Sequence, residues 1–190
     1  MKAKNALRVL KWSTGPAARP LHRILTLASE DRSELAKGIV AGVAGGLIGS
    51  IVMTEFQRTW SKVSERGPQG PPKEDASMKA AAKIAALAGR QLSYESKKKF
   101  GQVVHFSFGT LQGALYGAAM EVSGQSGGLL SGVAFGSALF ALVDEFAVPA
   151  LGLLEKPAKY PLSSHLYGFA SHLVYGLSSE IARRGVRASI

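Results

Sequence analysis

GQVVHFSFGTLQGALYGAAMEV, residues 101–122, carries His105, Gly109, Gly113, Gly117 and Glu121 at every fourth position. On an α-helix that spacing lays five residues along one slowly rotating stripe, with three glycines in its middle and an ionisable group at each end. Almost everything else in the stretch is apolar or small. In water such a helix is poor, since an interior glycine costs roughly 0.8–1 kcal/mol relative to alanine. In lipid the balance differs. Backbone groups must bond within the segment, and small residues let helix backbones approach closely. The stretch therefore predicts a transmembrane helix with a glycine packing face.

Three further segments repeat the pattern. Lys37 is followed by an uncharged run from Gly38 to Thr54, in which Gly38, Gly42, Gly46, Ser50 and Thr54 keep the four-residue spacing. Leu129–Leu154 is apolar apart from Asp144, Glu145 and Pro149, with Gly128, Gly132 and Gly136 as its small face. Leu162–Ile181 repeats the spacing with Ser164, Gly168, His172, Gly176 and Glu180, and ends on Arg183, Arg184 and Arg187. The expectation is an all-α integral membrane four-helix bundle with small-xxx-small packing faces and spans at about 38–57, 102–122, 128–153 and 162–182. Pro149 cannot donate to the carbonyl of Glu145, so a kink or helix end is expected there.

Between the first two spans, residues 58–99 form a polar loop. GPQGPP at 67–72 breaks it, and an amphipathic helix is expected at about 76–92, with Lys79, Lys83 and Arg90 on it. Residues 1–36 form a basic N-terminal segment. Its first part, to Trp12, reads equally as an amphipathic surface helix or a solvated tail, and Gly15, Pro16 and Pro20 separate it from Leu21–Leu35. No apolar core or cleavage site of a secretory signal precedes Pro16; a mitochondrial transit peptide is a minor alternative. Residues 185–190 form a short tail.

Composition narrows the classes. The 190 residues include no cysteine, which removes disulfides, thiolate metal sites and cysteine nucleophiles. Mean hydropathy is only +0.11, because polar segments dilute the apolar ones. With Lys+Arg 23 against Asp+Glu 13, the net charge of +10 fits an anionic membrane surface better than nucleic acid, for which no motif is present. No HExxH or phosphate loop occurs, and no G-x-S-x-G sequence precedes a plausible histidine and acid arrangement. Neither an enzyme nor a resident cofactor or metal is expected.

If all four segments cross, the long loop and the EKPAKYP loop share one side, and both termini and the SGQSGG linker share the other. That groups Glu55 with His105, and Asp144 and Glu145 with His165 and, deeper, His172. Glu121 and Glu180 fall on the opposite side near Arg183 and Arg184. These eight ionisable residues are the candidate intramembrane polar groups. The candidate helix-packing residues are Gly38, Gly42, Gly46, Gly109, Gly113, Gly117, Gly128, Gly132, Gly136, Gly168 and Gly176. Lys and Arg number eleven on the terminal side and twelve on the loop side, so the positive-inside rule sets no orientation.

From Val103 onward the order of features resembles the YagU family of bacterial inner-membrane proteins, grouped under a domain of unknown function. The similar elements are His105 with Phe106 to Phe108, Gly113 to Glu121 with Tyr116, Gly127 to Gly136, Pro149 to Leu153, Pro161, His172 with Leu173, and Glu180 to Arg184. Asp144 and Glu145 depart from the family pattern. The resemblance implies a multi-pass inner-membrane protein with cytoplasmic termini, and it raises His105, Glu121, His172 and Glu180 above the other polar residues. Two functions compete. One is a compact bundle with a structural, assembly or stress-related role, partnered by the bilayer and by itself or a membrane complex through glycine faces. The alternative is a proton- or cation-coupled small transporter or pH-responsive protein using the histidines and carboxylates.

Overall fold

A computed structural model describes residues 18–63 and 74–190, with side chains from residue 31 onward. Among these residues all regular structure is helical, with no strand: α1 (Ala18–Val63), α2 (Ala76–Leu87), α3 (Tyr94–Val122), α4 (Leu129–Leu139) and α5 (Leu162–Arg187) are its main helices. The part of the N-terminal segment before residue 18 and the GPQGPP break lie outside the described residues. Pro20 does not interrupt α1, because it falls in the first turn, where no intrahelical N–H is required. Residues 18–36 are accordingly continuous with the expected first span rather than a separate segment. At 46 residues α1 is about 69 Å long, more than twice the hydrocarbon thickness.

The amphipathic helix is shorter than expected and α3 begins earlier. Asp75 caps α2 by accepting from Met78 N at 2.8 Å, and Gly89, at φ +68°, ends it with Arg90 N on Ala85 O. Ser93 then caps α3, so the second long helix starts eight residues before position 102. Gly124, at φ +65°, closes α3 in the same way as Gly89 closes α2.

α4 does not stay α-helical to residue 153. From Phe140 to Ala147 it widens into a π-helix, in which Val148 N–H reaches Val143 O, and a last helical turn covers Val148–Ala150. The cause lies one residue downstream. Pro149 has no N–H, and its ring would crowd the carbonyl of Glu145 in a regular α-turn; a wider turn relieves that clash.

The small-residue contacts join the long helices in a row, α3, α1, α5, α4, and a stack of Tyr116 on Phe135 also brings α3 against α4. Gly38, Gly42 and Gly46 of α1 face Gly117, Gly113 and Gly109 of α3, running antiparallel. One step round α1, Gly45 and Gly49 face Ser179 and Tyr175 of α5, also antiparallel. On α5, Gly176 meets Gly132 and Gly136 of α4. Adjacent residues on a helix are about 100° apart, so the two central helices each present two packing faces. α1 uses 38-42-46 and 41-45-49, and α5 uses 171-175-179 and 168-172-176. Gly128 differs from expectation: a Cβ there would meet nothing within 4 Å, so it is not a packing residue. Gly168 faces the Phe140 ring at 3.1 Å.

The Asp31–Val63 part of α1 and the Leu129–Ala150 segment are long and apolar enough to cross a membrane. α3 and α5 have the length, at 29 and 26 residues, but carry too many polar residues to meet the same measure. In α5 several of those polar residues point inward: Ser171, Ser179, Glu180 and Arg183 are buried.

Candidate functional site

The most enclosed ionic group lies where α5 passes the α3–α4 linker. Glu180 is 0 % exposed and Arg183 2 % exposed. Three residues apart on α5, they meet through two bonds: Arg183 Nε donates to Glu180 Oε2 at 2.7 Å and Nη2 donates to Oε1 at 3.0 Å. Arg183 Nη2 also donates to Ser126 O at 3.3 Å, and the guanidinium lies 5.7 Å from the Tyr116 ring centre. Tyr116 stacks on Phe135 of α4, with centroids 4.2 Å apart and planes within 8°. One ion pair thus ties α5 to α3, α4 and the linker between them. The linker spells G-Q-S-G-G at 124–128, but it joins two helices instead of a strand to a helix, and its Ser126 side chain is not held against any histidine.

Glu121 does not pair with Arg183 or Arg184. It accepts from Arg187 Nε at 2.7 Å, and Arg187 also bonds Glu34 of α1, closing this end of the bundle.

At the other end three histidines occupy three different settings. His105 Nε2 lies 3.5 Å from Thr54 Oγ1, while the Thr54 hydroxyl donates to Ser50 O at 2.8 Å. Only an Nε2–H could therefore be shared with that oxygen, and at the long limit of a hydrogen bond. Glu55, one residue on, is exposed and pairs with Arg58 instead. The structure therefore does not bring Glu55 and His105 together. A step of one residue turns a helical side chain through about 100°, which side-of-membrane counting ignores.

His172 Nδ1 donates to Gly168 O at 3.0 Å and lies 3.5 Å from Asp144 Oδ2. Its ring is mostly enclosed, with Phe140 at 6.0 Å between centroids. His165 Nδ1 meets Glu145 Oε1 at 2.7 Å and its Nε2 meets Pro157 O at 3.2 Å. Two acceptors on two ring nitrogens suit the doubly protonated ring, and they pin the loop after α4 to the first turn of α5. Both carboxylates of this pair of pairs stand on the π-helix. In the loop itself, Glu155 is held below the usual carboxylate range by its hydrogen bond from Lys159, an exposed pair of little structural weight.

Among the described residues, no three His, Asp or Glu side chains converge as a metal-ligand set. Counting sides placed His165 and His172 with Asp144 and Glu145, but it could not say that they divide into two separate pairs. Sequence placed Arg183 near Glu180 only as a cation at the end of the last span and noted Tyr116 only through the resemblance; Tyr175 was not singled out. Tyr175 is buried and donates to Gly109 O at 2.6 Å, bridging α5 to α3. The readable signal was the stripe Ser171, Tyr175, Ser179, Arg183, which keeps the same four-residue spacing as the glycines. No protein-family model, curated protein or solved structure matches the chain.

Proposed function

We propose that the chain is an integral membrane protein of the bacterial inner membrane: a YagU-like, four-span bundle packed through small residues, with a structural or assembly role. One observation carries this reading. The largest fully enclosed side chains are Glu180, Ser50, Ser171 and Ser179, whereas Val40, Ile51, Leu111, Leu115, Leu130 and Phe146 are exposed. In water an apolar surface of that extent drives aggregation, and a core in which the large buried apolar side chains are few, among them Met53, Met120, Leu153 and Tyr175, supplies little burial to oppose it. In lipid the same distribution is favourable, because close backbone packing and internal hydrogen bonds hold the helices together while apolar side chains meet acyl tails. Expressed with an epitope tag, the protein is expected to remain in the membrane pellet through alkaline carbonate and urea washes. Release into the supernatant would reject the reading.

The carboxylates on the π-helix favour a second reading, a proton-responsive bundle. π-turns concentrate at functional sites, and this one presents Asp144 to His172 and Glu145 to His165. The groups that would respond are these four together with His105. Liposomes containing purified protein and an internal pH dye decide between the readings. Proton flux lost in both Asp144→Asn and His172→Phe supports the second, and flux equal to empty liposomes removes it.

A further inference from the structure

We propose that the outer face of α2, with Arg90, Lys98 and Lys99 beside it, docks on the headgroups of anionic phospholipids in the leaflet at the long-loop end. This rests on the membrane reading above and adds to it a lipid class and a surface that selects it.

The position of α2 comes from two contacts. A Cβ on Gly101 of α3 would lie 3.0 Å from Met78 N, so one end of α2 is seated directly on α3. Lys83 Nζ donates to Leu151 O at 2.6 Å, immediately after the last turn of the Leu129–Ala150 segment. The end of a crossing segment is where hydrocarbon gives way to headgroups, so Lys83 marks that level for α2.

The inner face of α2 is closed by Met78 and Ala81, both buried. Its outer face is not. Ile84 is 59 % exposed and Leu87 91 % exposed, three residues apart and so on one side of the helix. Phe100 and Val103 of α3 are exposed as well.

Charge supplies the selectivity. α2 contains Lys79 and Lys83 and no carboxylate. Lys97 is neutralised by Glu74 at 2.7 Å, but exposed Arg90, Lys98 and Lys99 have no carboxylate within ion-pair distance among the described residues. Of the nearby acids, Asp75 caps α2 and Glu155 pairs with Lys159; exposed Glu95 stands in the first turn of α3 in no ion pair among the described residues, leaving three free cations against one free carboxylate. A short helix with cations flanking two exposed aliphatic side chains suits the boundary between phosphate headgroups and acyl chains. A nucleic acid or an acidic peptide in solution would meet the cations but leave Leu87 in water.

The absence of cysteine permits a direct test. Leu87→Cys in the full chain carries an environment-sensitive fluorophore, and the protein is reconstituted into liposomes of phosphatidylcholine alone or with phosphatidylglycerol. The expected result is a blue-shifted emission, quenched by spin-labelled lipid, only when phosphatidylglycerol is present. Adding Arg90→Gln, Lys98→Gln and Lys99→Gln should lower the docked fraction. At about 1 kcal/mol per basic residue, the docked-to-undocked ratio falls on the order of 100-fold. Raising the salt of the unsubstituted protein should act in the same direction. These three changes lie on exposed positions, and circular dichroism confirms that the fold is kept. Emission that is the same in both lipids, or blue-shifted in both and indifferent to the triple substitution, overturns the proposal while leaving the membrane reading intact. Protein that washes off both liposomes at alkaline pH overturns both.

Discussion

At the scale of single residues, the Glu180–Arg183 pair governs the stability of the terminal end of the bundle. Two desolvated charges in mutual contact do not add much by themselves, but removing one strands the other. Glu180→Gln is therefore expected to cost about 3–5 kcal/mol in unfolding followed in mixed detergent micelles, and Glu180→Leu combined with Arg183→Met should recover most of it. Ser179 is a control on the same face. Its hydroxyl is buried without a hydrogen-bond partner among the described residues, so Ser179→Ala removes a desolvated group and breaks no bond. That variant should be at least as stable as the unsubstituted protein. A loss comparable to that of Glu180→Gln would mean that the hydroxyl has a hydrogen-bond partner in the folded protein.

At the scale of elements, glycine is unfavourable in a helix until its missing side chain is needed. A Cβ on Gly113 would lie 2.5 Å from Gly46 Cα, so Gly113→Ala must push α1 and α3 apart; a loss of about 1–3 kcal/mol is expected despite alanine's better helix propensity. On α5, Gly185 has nothing within 4 Å of its Cβ position, and Gly185→Ala should stabilise by about 0.5–1 kcal/mol. Opposite signs for the same substitution are the readout, and equal signs would reject close packing as the reason for Gly113. The long helices were legible from spacing because a four-residue period marks a helical stripe whatever the stripe touches. Which helix each stripe meets was not legible, since spacing carries no information about a partner. The second face of α5 was missed for a related reason: Tyr175 and Arg183 are large, and a search for small residues passes over them. The π-helix was readable only as a break at Pro149, because the clash there can be relieved by a kink, an end or a wider turn.

At the scale of the whole molecule, the antiparallel sequence of contacts fixes which loops share an end of the bundle, and on the proposed membrane reading each end is one side of the bilayer. Single cysteines at Gln125 and Ala158 should label from opposite sides of sealed vesicles with a membrane-impermeant maleimide, and a cysteine at Ile190 should behave like the one at Gln125. Labelling of Gln125 and Ala158 from one side would break the grouping of the histidines with Asp144 and Glu145. The row order α3, α1, α5, α4 also bears on how the chain is made. During synthesis, α1 and α3 can pair as soon as both have emerged, because they are consecutive long helices and seat each other through 38-42-46 and 109-113-117. The glycines of α4 have no such neighbour in α1 or α3: they fit α5, which follows α4 in the chain. Until α5 has emerged, α4 has only the Tyr116–Phe135 stack to hold it and α1 keeps one face vacant. Residues 162–187 thus complete two interfaces at once, and a chain cut short before Leu162 forfeits assembly well beyond the helix it lacks.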